Sequence, residues 1–346
     1  MCLLDIGAFF LFLGIARRVA PARLAVAGWG YALSGLLLGP VLYDRLDVGL
    51  LFILMLWVYS TVRAHETALF GWDLCACMAL ELGIGYKGVP VVAVPYFGFS
   101  LWRGGLALGK TSIAGMVLCV VAFLPFIVHY MWAGPGVWWF LRFHAERGTE
   151  VESLYASAAM AAQLFGFEAR AAQEFGSWDL AGDGSTRLAA ISTAILVAMY
   201  LSLAAWAWLS RYSLDRLTGL HIGCLAIVAT AIAAKVLSPQ YLIWALPLCL
   251  LLGMQFPRGK QFMLLVAVVL LTALLTTWIF PLHFFQRRTP VTGELRNHVA
   301  LLQGLGSVRD FNSTAAVVLG IRNLLLLALL AWTGYRQLRS ADAYGT

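Results

Sequence analysis

The sequence predicts an all-α fold: a polytopic transmembrane helical bundle of about eleven spans, forming one integral-membrane domain over residues 1–346, with interfacial helices on its outer face. Three observations predict it. The chain is 61% hydrophobic and only 12% charged, where soluble domains sit near ~45–50% apolar and ~25% charged. Its mean hydropathy of +0.82 is concentrated in long apolar runs parted by short polar loops. No polar segment is extended enough to fold as a separate soluble domain. The net charge of +7 fits basic loops facing anionic lipid and does not call for nucleic acid.

The first run, "MCLLDIGAFFLFLGIA", is followed by Arg17 and Arg18. A signal peptide carries its basic residues before the apolar stretch, so this is expected to be a membrane helix that opens abruptly, with earlier chain absent. After the first, at 2–16, further runs lie at 24–42, 47–61, 68–84, 88–101, 111–133, 188–210, 219–236, 240–254, 261–282 and 313–335. Several fall short of the ~20 residues that cross a hydrocarbon core straight on; 68–84 and 88–101 read as one broken pair. No fixed-period repeat or low-complexity tract is visible. The cysteines all sit in apolar runs, as small buried hydrophobes do. Cys75 and Cys77, two apart, fall on different faces of a helix and do not read as a metal site.

Alternation of spans divides the loops into two sets. One holds Arg17, Arg18, Arg23, Arg63, Arg103, Lys110, Arg211, Arg216, Arg258, Lys260, Arg336 and Arg339, with only Glu66, Asp215 and Asp342 as acids. Basic density in short loops places this set in the cytoplasm, with residue 1 outside and the C-terminus inside. The other set contains two long outer loops, 134–187 and 283–312. The first carries four arginines against seven acids. Trp132, Trp138 and Trp139 flank its start as headgroup-level anchors, and "VESLYASAAMAAQLFGF" has the spacing of an amphipathic helix on the outer surface.

The same alternation sends the unusual polar clusters to the outer side: "YDRLD" at Tyr43 to Asp47, "GYKGVP" with Lys87, "FHAERGTEVES", "KVLSPQYLIW" and "HFFQRR". Charges at membrane depth mark substrate or ion pathways, so five such clusters on one face predict an outward-facing polar cavity. In "KVLSPQYLIW", Ser238 is placed to cap a helix and Pro239 suits its first position. A helix start presents free N–H groups to a phosphate, Lys235 adds a full charge, and Gln240 and Tyr241 add donors. The plainer reading is a helix break with Lys235 snorkelling to the interface. "YDRLD" also reads two ways: Asp44, Arg45 and Asp47 hold a substrate, or they form a self-neutralised turn. Lys87 contacts phosphate or snorkels. Glu146, Glu150 and Glu152 are candidate bases and Arg147 an anion clamp, against a solvated acidic loop.

Taken together, "YDRLDVGLLFIL", "GYKGVPVVAVP", "FHAERGTEVESLYAS" and, most specifically, "KVLSPQYLIWALPL" resemble the GT-C superfamily of integral-membrane glycosyltransferases. Within it they resemble the polyprenyl-phosphate-mannose-dependent mannosyltransferases, including bacterial relatives of the phosphatidylinositol-mannoside enzymes. The motifs span residues 43 to 248 in the expected order. The resemblance implies transfer of a hexose, mannose or similar, from a polyprenyl-phosphate donor to a lipid or glycan acceptor on the non-cytoplasmic face of a bacterial plasma membrane. It implies a donor-phosphate side of Lys235, Ser238, Gln240 and Tyr241. Arg147, Glu152 and Ser153 are supporting candidates, and Asp44, Arg45, Asp47 and Lys87 shape the cavity. No cofactor is expected, though a divalent cation near the donor phosphate is compatible. The family's first outer loop, with its acidic residue, has no counterpart here. The chain opens where the fourth helix of such an enzyme is expected, so no residue is assigned as catalytic base. Two other classes remain open: a transporter of lipid-linked anions, which should show inverted repeats, and a truncated, non-catalytic lipid-phosphate-binding protein.

Overall fold

Each apolar run forms helix over most of the length that the structure, a computed structural model, describes. The described residues are 1–39, 41–42, 46–103, 108–162, 165, 171–174, 177–180, 183–209, 216–280, 308–309 and 313–343. In chain order the helices are α1 (Cys2–Val19), α2 (Leu24–Leu38), α3 (Asp47–Thr67), α4 (Phe70–Lys87), α5 (Val94–Arg103), α6 (Leu108–Ala133), α7 (Trp139–Glu146), α8 (Leu154–Ala162), α9 (Asp183–Leu209), α10 (Arg216–Ala233), α11 (Leu242–Gly253), α12 (Gly259–Ile279) and α13 (Ser313–Ala343). Among the described residues five segments are long and apolar enough to cross a membrane: Asp47–Thr67, Gly184–Trp208, Arg216–Ala233, Gly259–Ile279 and Thr314–Arg336. Large apolar side chains also coat the outside, among them Phe10, Trp29, Leu36 and Leu324, as a surface solvated by lipid requires.

Contacts at the helix ends show an up-and-down arrangement. The α1 and α3 helices run parallel, Gly7 against the Phe52 ring and Gly14 against that of Tyr59. The α3 and α4 helices run antiparallel. Lys87 at the close of α4 meets Asp47 at the start of α3, while Arg63 near the close of α3 lies over the ring of Trp72 near the start of α4. At that second end Arg216, opening α10, pairs with Asp73 of α4. Polar contacts thus collect at two ends, with an apolar core between them.

The core centres on α11, every residue of which is buried. Apolar residues all round a helix mean burial all round. At ~1.5 Å per residue its twelve residues reach only ~18 Å, short of the ~30 Å hydrocarbon core. The irregular backbone that precedes it lies at the first end among other protein segments, where such backbone is tolerated.

The segment 134–187 departs from the expectation of helices alone. It contains α7 and α8, but also strands β1 (Ala171–Glu174) and β2 (Ser177–Leu180), which join β3 (Val308–Arg309) in an antiparallel sheet of order β2–β1–β3. Nor does α8 lie free on a surface: Ala156 and Met160 pack with Val151, Ala171, Leu180, Ile279 and Leu319 in a second small core. Apart from β3, the loop 283–312 falls outside the described residues, as do Asp44 and Arg45.

One close crossing sets the position of α10. A Cβ on Gly219 would stand 2.2 Å from Ser100 Cβ and Oγ and 2.9 Å from the Tyr96 carbonyl oxygen of α5. A backbone oxygen cannot move aside cheaply, so the helices touch here because no side chain intervenes. Gly219→Ala is expected to destabilise the protein by about 1–3 kcal/mol. Gly98→Ala, with nothing within 4 Å of its Cβ, should stay within ~0.5 kcal/mol apart from helix propensity. Unfolding in detergent checks the pair; equal effects would remove the close crossing as the cause.

Candidate functional site

At the first end, segments far apart in sequence converge. Asp47 occupies the first turn of α3 and Lys87 the last turn of α4. Each charge complements its own helix end, and the antiparallel packing brings the two together: Lys87 Nζ lies 2.5 Å from Asp47 Oδ1. The Trp244 indole of α11 donates to the same oxygen at 3.0 Å. Lys87 Nζ also sits 4.8 Å from the centroid of the Tyr241 ring, whose own partner is Trp244 at 5.6 Å. A buried carboxylate needs such company, and Asp47 is 3% exposed. Three helices are locked by this one oxygen.

The stretch from Arg147 to Ser153 forms a strap beside this group. Lys235 Nζ donates to the carbonyl oxygens of Ala145 (3.2 Å) and Arg147 (2.5 Å), and the Glu150 N–H donates to the Lys235 carbonyl at 2.9 Å. On its other side the strap pairs with β2: Val151 N–H donates to the Trp178 carbonyl (2.9 Å) and Leu180 N–H to that of Thr149 (2.8 Å). Thr149 is further tied to Ser185 by its N–H (3.0 Å) and its hydroxyl (2.8 Å).

The side chains there are dense in charge. Arg147 Nη2 lies 3.2 Å from Glu150 Oε1, and Arg147 Nε 4.0 Å from Asp179 Oδ1. Burial pushes the Glu150 carboxyl up to about 7; the nearby charge of Asp179 adds to this and Arg147 opposes it. His144 is held below its usual range, first by burial and then by the charges of Arg147, Lys235 and Lys87. Among the described residues the buried oxygen Glu150 Oε2 and the nitrogen Arg147 Nε have no hydrogen-bond partner. The site therefore keeps unused polar capacity in a buried place, the condition that invites water or a ligand.

The remaining sequence candidates fall around this centre. Ser238 occupies the N-cap position of the short 3₁₀ turn Pro239–Tyr241 in extended backbone, yet its side chain makes no capping bond; its carbonyl accepts from the Tyr241 N–H at 2.9 Å. Gln240 is half-buried in the same turn. Ser153 is a helix cap: its hydroxyl accepts from the Ala156 N–H at 3.1 Å and opens α8. Glu152 faces α13, where Arg322 Nη2 donates to its carbonyl (3.0 Å) and lies 3.4 Å from its carboxylate. Asn323 donates to the carbonyls of Glu152 and Ser153, both at 3.1 Å, and to the Ser157 hydroxyl at 2.7 Å. Glu146 pairs with Arg142 at the surface.

Arg322, Asn323, Asp179 and Trp244 were not among the sequence candidates. An arginine and an asparagine inside the apolar run "GIRNLLLL" carry a usable signal, since charge at membrane depth is costly. Asp179 carries none, because nothing in "SWDL" distinguishes a buried acid from a solvated one. Among the described residues no group of three or more His, Cys, Asp or Glu could hold a metal ion; Cys75 is exposed and Cys77 buried. No family model, curated protein or solved structure matches the chain.

Proposed function

We propose that this chain is an integral-membrane glycosyltransferase of the GT-C type. It moves a hexose, mannose or similar, from a polyprenyl-phosphate donor to a lipid or glycan acceptor, with about eleven membrane crossings and the strap end facing the non-cytoplasmic side. One observation carries the reading. The four stretches that resemble the family are scattered over residues 43 to 248, yet Asp47, Lys87, Arg147, Glu150, Lys235 and Tyr241 interlock at one end of the bundle. Packing alone does not require that these motifs, and not others, share one place.

The charges suit a phosphate leaving group. As the acceptor oxygen bonds to the anomeric carbon, the bond from that carbon to the phosphate oxygen breaks and negative charge grows on the phosphate. Lys235 and Arg147 are preorganised donors for it. With Glu150 protonated, Lys87, Arg147 and Lys235 face two carboxylates, Asp47 and Asp179; ionised Glu150 makes three and cancels the excess. Glu150 is protonated below about 7, so retention of polyprenyl phosphate should weaken as pH rises from ~6 to ~8. Glu150→Gln should flatten that dependence.

The test uses the full chain in membranes supplied with polyprenyl-phosphate mannose. Transfer of the sugar to endogenous acceptor supports the reading. Retention of polyprenyl phosphate without transfer supports the non-catalytic binding alternative, and neither transfer nor retention sinks both.

A further inference from the structure

At the opposite end of the bundle a cavity of about 650 Å³ opens where α1 turns into α2, lined by Leu13, Gly14, Arg17, Arg18 and Leu24. We propose that it is a binding site for the phosphate headgroup of an anionic phospholipid, separate from the strap-end cluster and independent of the function proposed for it. Three features make the case. Arg18 is held in place from three sides: Nη1 donates to the Gly14 carbonyl at 2.8 Å, Nε pairs with Glu66 at 3.2 Å, and its guanidinium lies 5.1 Å from the centroid of the Tyr59 ring. Such a fixed planar cation is suited to a phosphate oxygen. Arg17 lines the same cavity, is exposed, and makes no hydrogen bond or ion pair among the described residues.

The local balance is positive. Glu66 Oε2 is already shared between Arg18 and Arg63, at 3.2 and 3.1 Å, so among the described residues Arg18 and Arg63 draw on a single carboxylate and Arg17 pairs with none. Arg23, next along the turn, is spent on the carbonyls of Gly253, Met254 and Phe256 and fixes the turn instead of the ligand. The walls decide the source of the phosphate. Leu13 and Leu24 give the cavity an apolar side, and the apolar surface of α1 continues along the bundle from there, with Phe10 exposed on it. A phosphodiester with acyl chains fills both parts; basic pockets at membrane-helix ends take such headgroups.

Native mass spectrometry of the full chain, released from nanodiscs of phosphatidylglycerol or of phosphatidylcholine, tests this. Retained phosphatidylglycerol adducts should exceed phosphatidylcholine adducts, and Arg17→Gln should lower phosphatidylglycerol retention about fivefold. Because Arg17 makes no hydrogen bond or ion pair among the described residues, its loss should leave the fold intact, and an unchanged thermal midpoint in detergent verifies that. Arg17→Glu should lower retention further. Equal retention of the two lipids, or retention indifferent to Arg17, overturns the proposal. Arg17-dependent stabilisation by inorganic phosphate without phosphatidylglycerol preference overturns the lipid assignment in favour of a soluble anion.

Discussion

Lys235→Ala is expected to lower sugar transfer by about 10²–10³, the loss typical when one preorganised donor is removed from a developing negative charge. The structure gives Lys235 a second duty, since its ammonium also holds the carbonyls of Ala145 and Arg147. Removing it loosens the strap, and two charge-assisted bonds to carbonyls contribute about 1.5–3 kcal/mol each at most. The two duties separate by measurement. If Lys235 only fastens the strap, Lys235→Ala lowers the thermal midpoint, and the fraction that remains folded transfers sugar normally. If it also meets the phosphate, the folded fraction is inactive and fails to retain polyprenyl phosphate. Lys235→Arg keeps the charge and can still reach a carbonyl, so it should recover most of the stability but only part of the transfer. Full transfer by folded Lys235→Ala would sink the placement of the phosphate.

How much of this was legible in the sequence depends on range. The helices announced themselves, because an apolar run in a chain of this composition has little else to form. The break at "KVLSPQY" was equally visible, since Pro239 and its polar neighbours interrupt hydropathy at a fixed point. Partners were harder. Asp47 and Lys87 are forty residues apart, and "YDRLD" offered Asp47 a nearer cation in Arg45; only antiparallel packing of α3 and α4 shows that Lys87 is the mate. Ser153 read as a candidate ligand, and its place three residues before Ala156 makes it a helix cap instead. The small sheet was illegible. "AAQE" has no β-branched or aromatic residue, and it becomes a strand because β2 and β3 supply hydrogen bonds on both sides, a tertiary cause that overrides propensity.

Arg322 gives the largest expected effect on stability. Its side chain is wholly buried within α13, and it reaches the strap through Glu152. Burial pushes the Glu152 carboxyl up to about 8, with Arg322 opposing, so above that pH Arg322→Met leaves an ionised carboxylate buried without its cation, and breaking a buried pair from one side costs about 3–5 kcal/mol. The Glu152 carbonyl does not add to that cost, because Asn323 still donates to it at 3.1 Å. This isolates the charge. In the double variant Arg322→Met with Glu152→Met, both charges go and the carbonyl remains satisfied, so stability should return to within ~1 kcal/mol of the parent, as replaced buried pairs commonly do. Glu152→Met alone strands a guanidinium whose Nε and Nη1 already lack protein partners, and it should be as damaging as Arg322→Met. Thermal unfolding of the four proteins in one detergent closes the cycle. A double variant no more stable than either single one would mean that Arg322 holds α13 by packing, and that the pair is incidental. A restored double variant that still transfers sugar would make the pair a brace for the strap. A restored but inactive one would place Glu152 or Arg322 in the site itself.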